Sequence, residues 1–398
     1  MAIVGSGEIK FSDIATEYGV SLSNLSLTTL STNIGLTPDH AISEFYGKSA
    51  TITIDDLANT ITTDDGGTSL DITPEDAIYF GGYHFVSNTT SNQKAIFSDD
   101  DGITWSTEYG ALFDFKAKFT VAGDYLIASS TNYVTRYKFG SEPNSTSNTT
   151  YFPNIDLYRT RFSLGTTTSR SRAVYYDDHV YYFKNASFFK WDVATFTGSN
   201  VGSLSQTPIS HAPLAVGNDG RMITLTYSGT QAYFEISDNE FSTKTITSIP
   251  NQSSFSTTPT AYSDSEIITD GNGTWVFVAD RYVNGHTFYC YSTDNGDTWT
   301  SILDHYYNES VMTYTPGVNT GNSGLVGPPD AAYYANNTFY IGWDGGPEGS
   351  EPSSGGLIFS TDGINLTGIK DVGTAGKAMS FNGSTLVVYG DDKILRFT

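Results

Sequence analysis

The sequence predicts an all-β fold built from a repeated four-stranded unit, on three observations. First, 27 Tyr and 24 Phe occur in short runs between turns rich in Gly, Asn, Asp and Ser, a composition typical of strands joined by tight connections. Second, from about residue 75 the chain repeats an apolar strand, a short polar turn and a second strand. Third, one eight-residue turn pattern occurs at both 98–105 and 292–299.

The repeated turn reads S-x-D-x-G-x-T-W. Its positions are Ser98, Asp100, Gly102, Thr104 and Trp105 in the first copy, and Ser292, Asp294, Gly296, Thr298 and Trp299 in the second. A shorter copy contains Ser360, Asp362 and Gly363. The carboxylate can accept backbone hydrogen bonds, the glycine permits positive φ, and the Trp begins the next strand with a ring to bury. The pattern resembles the Asp-box of sialidase-type β-propellers, in which these turns are structural and lie away from the active site.

The strand units number seven, which predicts a seven-bladed β-propeller; six and eight blades remain alternatives. The last unit ends after three strands, so we expect its fourth strand to come from the N-terminal side. The segment Thr62–Ser69 is a weak copy of the turn, and Leu70–Ile72 can follow it as the closing strand. Such closure removes two open sheet edges. The predicted domains are an N-terminal module at 1–50, a linker with the ring-closing strand at 51–75, and the propeller at 76–398.

The first fifty residues predict a small, mostly helical module. Ser12 can cap a helix that Gly19 ends. The motifs I-K-F-S-D-I-x-x-E-Y-G at 9–19 and I-S-E-F-Y-G at 42–47 resemble a module of tail-fibre and appendage proteins of tailed phages, especially marine ones. The resemblance implies attachment to other virion tail proteins through residues 1–50, with the candidate residues Phe11, Asp13, Ile14, Tyr18, Phe45 and Tyr46. An ordinary extension packed on the propeller is the alternative.

Charge and residue spacing exclude several classes of function. A net charge of −23 with only 20 Lys and Arg argues against nucleic acid and anionic membrane surfaces. No apolar run approaches ~18 residues, and the first residues lack a secretion signal, so we expect no membrane insertion. The 6 histidines lack metal-ligand spacing, and we expect no metal and no cofactor. The single Cys290 lies in an alternating strand pattern and is expected to be buried and inert.

Enzymatic activity is not expected. Resemblance to a sialidase would require three arginines converging on a carboxylate, a Tyr–Glu nucleophile pair and an acidic Asp. No arginine lies in that family's F/Y-R-I-P motif, and the nearest sequence is Tyr158–Arg161. A sialidase-like glycoside hydrolase or polysaccharide depolymerase is kept as an alternative.

Two long loops favour a binding function. In a propeller, the turns that join strands 1–2 and 3–4 lie on one face, whereas the 2–3 loops and the links between blades lie on the other. The segments 304–329 and 343–355 belong to the second face and carry residues that stack on or hydrogen-bond sugars. The candidate binding residues are His305, Tyr306, Tyr307, Tyr314, Trp343, Asp344 and Glu348.

These observations together predict a virion structural protein of the tail or tail fibre. We expect it to be located in the virion, to be oligomeric in the particle and to present a face that binds a host-surface glycan or receptor. The alternative is a purely structural tail or capsid-appendage component, in which the two loops are solvated insertions or subunit contacts.

Overall fold

The structure is a computed structural model that describes residues 54–56, 62–63, 74–88, 95–108, 112–114, 116–130, 133–141, 149–152, 155–163, 171–208, 212–229, 231–250, 265–281, 286–302, 306–308, 313–315, 329–343, 355–373, 375–390 and 394–397. The chain divides into two compact units, residues 1–54 with Thr398, and residues 55–397. The predicted helical module and all six candidate attachment residues lie outside the described residues.

The second unit is a seven-bladed β-propeller, as predicted, and its described residues form seven sheets. Two short strands precede the first blade: β1 (Ile54–Asp56) and β2 (Thr62–Thr63). Blade 1 contains β3 (Pro74–Phe80), β4 (Tyr83–Asn88), β5 (Ala95–Ser98) and β6 (Thr104–Glu108). Blade 2 contains β7 (Lys118–Ala122), β8 (Tyr125–Ser129), β9 (Tyr133–Phe139), β10 (Thr149–Phe152) and β11 (Leu157–Ser163). Blade 3 contains β12 (Val174–Tyr176), β13 (His179–Lys184), β14 (Ser187–Asp192) and β15 (Gly198–Ser203).

The remaining blades follow the same antiparallel plan. Blade 4 contains β16 (Thr207–Pro208), β17 (Leu214–Val216), β18 (Met222–Ser228), β19 (Gln231–Ser237) and β20 (Thr245–Ser248). Blade 5 contains β21 (Glu266–Thr269), β22 (Trp275–Arg281), β23 (His286–Ser292) and β24 (Thr300–Ile302). Blade 6 contains β25 (Tyr306–Asn308), β26 (Thr313–Thr315), β27 (Pro329–Ala335), β28 (Thr338–Trp343), β29 (Gly355–Ser360) and β30 (Thr367–Gly373). Blade 7 contains β31 (Ala375–Phe381), β32 (Leu386–Gly390) and β33 (Ile394–Phe397).

The first strands of the seven blades surround the axis. They contact one another in a closed cycle, in the order β3, β7, β12, β17, β21, β27 and β31. Some blades carry additional strands on their outer edges: β10 lies outside β11, and the β25–β26 hairpin lies outside β30. The blade fold is therefore regular at the axis and varied at the rim.

The strand that completes blade 7 differs from the prediction. In the sheet order, β1 lies beside β33, so the fourth strand is Ile54–Asp56. Thr62 and Thr63, predicted to begin a turn, instead pair in parallel with Thr104 and Trp105 at the outer edge of blade 1. The stretch that was expected to lead into the closing strand is therefore part of another blade, and Leu70–Ile72 lies outside the described residues.

The predicted turns between the third and fourth strands are held by side-chain hydrogen bonds. The Thr104 amide donates to Asp100 Oδ1 at 2.8 Å, and the Gly102 amide donates to Ser98 Oγ at 2.9 Å. The second copy repeats these bonds, from Thr298 N to Asp294 Oδ1 at 2.9 Å and from Gly296 N to Ser292 Oγ at 2.8 Å. In the shorter copy, Asp362 Oδ1 accepts from the Ile364 and Asn365 amides at 2.8 and 2.7 Å.

These turns also attach each blade to the preceding one. The Trp299 ring stacks on Phe234 of blade 4, with 4.1 Å between centroids, and Trp105 contacts Tyr389 of blade 7 at 5.6 Å. In blade 6, the Gly363 carbonyl accepts a hydrogen bond at 2.7 Å from the Tyr289 hydroxyl of blade 5. Apolar side chains fill the space between blades, and Cys290 is buried there as a free thiol.

Candidate functional site

Charged side chains gather where the first strands of the blades begin. Glu75 and Asp76 belong to β3, Lys118 to β7 and Glu266 to β21, and Arg172 lies just before β12. We name these five residues the axial cluster. Because each lies at the start of a first strand, the cluster occupies the end of the propeller where the strand 2–3 connections also lie.

The axial cluster joins four blades through ion pairs. The Lys118 Nζ atom lies 3.4 Å from Glu75 Oε1 and 3.6 Å from Glu266 Oε1. The Arg172 Nη2 atom lies 3.0 Å from Asp76 Oδ1 and 3.5 Å from Glu266 Oε1. The side chains of Lys118 and Arg172 are only 20% and 21% exposed, so water screens these pairs less than it screens surface pairs.

Burial and charge act in opposite directions within the cluster. Burial raises the pKa of Asp76, although Arg172, Lys118 and the hydrogen bond from the Phe119 amide at 2.6 Å oppose the rise. Burial also disfavours the charged form of Lys118, but Glu75, Glu266 and Asp76 outweigh it and raise the pKa of the ammonium group. Both cations are therefore held charged by carboxylates from other blades of the ring.

Two small cavities border the axial cluster. One has a volume of about 20 Å³ and is lined in part by Ser171, Pro213 and Ser265. The other has a volume of about 10 Å³ and touches Tyr333 and Met379. Volumes of this size hold about one water molecule. Within the described residues, these two cavities beside the cluster have no room for a sugar ring.

The predicted binding residues lie partly on strands. Tyr306 and Tyr307 belong to β25 and Tyr314 to β26, so the segment predicted to be a loop includes a hairpin that joins blade 6 where Thr313 pairs with Thr367. Strands of three residues are too short to show a clear alternating pattern, which is why the sequence did not indicate them. Tyr307 pairs opposite Tyr314.

The other predicted binding residues come from the second long segment or flank the hairpin. Trp343 ends β28 and pairs opposite Pro329, where β27 begins. Its backbone therefore lies at the same end of the propeller as the axial cluster. His305, Asp344 and Glu348 lie outside the described residues.

Two arginines of β11, Arg159 and Arg161, share Asp114 as a charge partner, whereas Arg136 and Arg172 have partners of their own. Arg161, in the segment nearest to a sialidase motif, lies on β11 with Nη2 2.9 Å from Asp114 Oδ1. Arg136 is fully buried and donates to the carbonyls of Val193 and Ala194 at 2.6 and 2.5 Å. Arg172 belongs to the axial cluster and is paired with carboxylates.

The axial cluster was missed by the sequence analysis, although a local signal existed. In blades 1, 2, 3 and 5 a charged residue stands at the beginning of an otherwise apolar first strand, as in Glu266-Ile267-Ile268. Because the first strands surround the axis of the closed ring, charged residues at equivalent positions of several first strands lie close together there.

Neither a cluster of potential metal ligands nor a membrane-spanning helix occurs in the described part of the chain. Its residues include no group of three or more His, Cys, Asp or Glu arranged to hold a metal ion. The same residues form no helix with the length and apolar character needed to cross a membrane.

Comparisons with known proteins identify the fold. No protein-family model matches the chain, and no curated protein matches its sequence. The structure is similar to YCF48 from Cyanidioschyzon merolae, with 10% identity, a TM-score of 0.52 and coverage of 86% of this chain and 98% of that chain. It is similar to the extracellular domain of BT4673 from B. thetaiotaomicron, with 11% identity, a TM-score of 0.50 and coverage of 89% and 43%. Virginiamycin B lyase from Staphylococcus aureus shows 11% identity, a TM-score of 0.47 and coverage of 87% and 99%.

At such low identity, the first two similarities support the propeller fold alone. The assignment to Asp-box propellers and the phage origin remain predictions from the sequence motifs.

Proposed function

We propose that this chain is a virion structural protein of a tailed phage, in the tail or tail fibre, whose propeller binds a glycan on the host surface. The motifs at 9–19 and 42–47 support the virion assignment through their resemblance to tail-protein modules. The three turns with a Ser and Asp pair support membership of the Asp-box propellers. In this proposal, residues 1–50 attach the chain to the particle.

The β25–β26 hairpin is the observation that carries the glycan-binding part of the proposal. It brings Tyr307 opposite Tyr314 at the outer edge of blade 6, with Tyr306 beside them. Tyrosines combine an apolar ring with a polar hydroxyl, which suits the mixed surface of a sugar. The paired charges at the axis favour a ligand held at the rim rather than in the centre.

The net charge narrows the class of glycan. A chain with a net charge of −23 repels anionic polymers within the screening length of the surrounding salt. A neutral glycan is therefore a better ligand than a sialylated one. The same reasoning disfavours the sialidase-like alternative, which would also need an arginine free to bind a carboxylate, whereas Arg172 is already paired.

Phage particles assembled with variants of this protein test the proposal. The double variant Tyr307→Ala with Tyr314→Ala should assemble into particles that no longer adsorb to host cells. The matched control is Asn308→Ala with Thr313→Ala, which changes the neighbouring cross-strand pair of the same hairpin and should preserve adsorption.

Other outcomes identify the alternatives. Failure of the tyrosine variant to assemble, with the control intact, would favour a purely structural component. Release of sugar from host polysaccharide by the purified chain would favour a hydrolase. Normal adsorption by the tyrosine variant would contradict the proposed binding face.

A further inference from the structure

We propose that the outer edge of blade 2 carries a second, separate site for a neutral oligosaccharide, formed by Tyr151 and Tyr158. The two residues pair directly across β10 and β11. Their ring centroids are 4.5 Å apart, with 31° between the ring planes. Tyr151 is 45% exposed on β10, the strand that ends its sheet, and Tyr158 is partly exposed on the adjacent strand β11. We name this pair the blade 2 platform.

The backbone of the blade 2 platform is held in place by buried neighbouring residues. Phe152 and Leu157, the next cross-strand pair, are buried in the core between blades. The Arg159 guanidinium lies 5.1 Å from the Phe152 ring centroid and donates to Thr150 Oγ1 at 3.1 Å. A platform whose backbone is held in this way loses little conformational freedom when a ligand binds, which favours affinity.

A polar group lies beside the rings. The Tyr151 hydroxyl donates to Asp156 Oδ1 at 3.0 Å, and Asp156 is exposed. No described residue donates a hydrogen bond to its second oxygen, Oδ2. The exposed part of the Tyr151 ring can contact the C–H face of a sugar while this oxygen accepts a hydrogen bond from a sugar hydroxyl. Apolar surface with a few placed polar groups is the general form of a small-ligand site.

The size and charge of the platform favour a neutral oligosaccharide over a protein or an anion. A stable protein interface buries about 800 Å² on each partner, far more than two tyrosine rings supply. The Asp156 carboxylate and the net charge of −23 disfavour an anionic ligand. Among the exposed large apolar residues of the described chain, Ile103, Val121 and Ile246 have no aromatic ring of their own, and Phe162 packs edge-on against Trp191.

The backbone register of blade 6 also places two tyrosines, Tyr307 and Tyr314, directly opposite each other. The ligand class of the platform rests on the proposed glycan-binding function, but its location does not. The two tyrosine pairs lie on different blades, so variants can separate them.

Saturation-transfer NMR on the purified full-length chain tests the platform. The neutral probes are cellohexaose, maltohexaose and hexa-N-acetylchitohexaose, and hexagalacturonate is the anionic probe. We expect at least one neutral probe to bind. The variant Tyr151→Ala with Tyr158→Ala should weaken that binding about tenfold, because it removes the exposed ring and the ring that supports it. The control Ile246→Ala, at a residue 40% exposed on the outer strand β20, should leave binding unchanged.

The remaining variants separate the two sites. If Tyr307→Ala with Tyr314→Ala weakens binding and the blade 2 variant does not, the platform is wrong and the proposed function stands. If no neutral probe binds, or only hexagalacturonate binds, the platform is also wrong. The single variant Tyr151→Ser changes an exposed edge residue and provides the same test if the double variant does not fold, as judged by its thermal unfolding.

Discussion

The ammonium group of Lys118 lies 3.6 Å from the carboxylate of Glu266, so blades 2 and 5, which are not neighbours in the ring, are joined across the axis. Arg172 extends the link, because its Nη2 atom is 3.0 Å from Asp76 of blade 1 and 3.5 Å from Glu266. The propeller is therefore held by charge at its centre and by apolar contacts between blades.

Loss of Lys118 should destabilise the propeller. The variant Lys118→Met leaves Glu75 and Glu266 without their shared cation, and removing one partner of a buried ion pair costs about 3–5 kcal/mol. Lys190→Met is the control. It breaks the ion pair between Lys190 and Glu240, which is shorter, at 2.7 Å, but whose two side chains are more exposed, at 28% and 33%. The control should cost at most about 1 kcal/mol. Urea unfolding measures both, and equal losses would show that the axial pairs contribute no special stability.

Two equivalent glycines should differ in their tolerance of alanine. Gly102 and Gly296 have φ angles of 84° and 86°, so alanine is strained at both. A Cβ atom at Gly296 would lie 2.5 Å from Ile223 Cδ1, whereas the nearest atoms to one at Gly102 are 3.4 Å away. We expect Gly102→Ala to cost about 1–2 kcal/mol and Gly296→Ala to cost more. Thermal unfolding in which Gly102→Ala is the less stable variant would contradict this packing argument.

Asparagine should replace Asp294 better than alanine does. In blade 4 the corresponding turn has Asn239, whose Oδ1 accepts from the Thr243 amide at 2.9 Å and whose Nδ2 donates to Thr243 Oγ1 at 2.7 Å. Asp294→Ala removes the acceptor and should cost about 1–2 kcal/mol, whereas Asp294→Asn should lose less than half as much. Equal losses measured by urea unfolding would show that the acceptor is not what stabilises the turn.

The turn carboxylates should make the propeller sensitive to strong acid. Burial acts to raise the pKa of Asp294, but hydrogen bonds from Thr298 and Ser292 outweigh it and hold that pKa below its usual 3.8. The stabilisation is thus present above pH 3.8 and is lost as the pH falls through the lower folded value. The melting temperature of Asp294→Asn should fall less steeply below that pH than that of the native chain. Parallel curves would contradict the prediction.

Protonation of His84 should separately destabilise the propeller in weaker acid. Burial lowers the pKa of His84 below its usual 6.5, with Arg396 acting in the same direction and Asp101 and Asp100 against it. The imidazole contacts Ser380 Oγ of blade 7 at 2.7 Å. The folded state favours the neutral ring, so the stability it contributes is present above pH 6.5 and is lost as the pH falls.

The variant His84→Gln tests this effect. Its melting temperature should change less than that of the native chain between about pH 7 and pH 5, the range in which histidine ordinarily titrates. A native slope in His84→Gln would show that this histidine does not link folding to protonation.

The fold was predictable because its signals are local. Gly81-Gly82 and Asp177-Asp178 lie between apolar runs, and all four residues have the positive φ that tight hairpins require. The closing strand was not predictable, because the choice between Ile54–Asp56 and Leu70–Ile72 depends on which segment reaches the edge of blade 7. Both segments are short, and pairing with an edge at the opposite end of the chain leaves no local signal.

The candidate sites also divide into residues that the sequence could identify and residues that only the fold brings together. The tyrosines of residues 306–314 could be selected from the sequence because aromatics in a long polar segment are conspicuous. The axial cluster could not be selected as a unit, because Asp76, Lys118, Arg172 and Glu266 are far apart in the chain and meet only through closure of the ring. Tyr151 and Tyr158 likewise become a pair only through the register of β10 and β11.

A polysaccharide microarray tests the glycan-binding claim most directly. The purified full-length chain would be applied to an array of neutral and anionic bacterial surface polysaccharides, together with the Tyr307→Ala and Tyr314→Ala double variant and the Asn308→Ala and Thr313→Ala control. We predict that the native chain and the control bind a subset of the neutral polysaccharides and that the tyrosine variant loses this binding. The absence of binding by the native chain, or equal binding by the tyrosine variant, would contradict the proposed glycan-binding face.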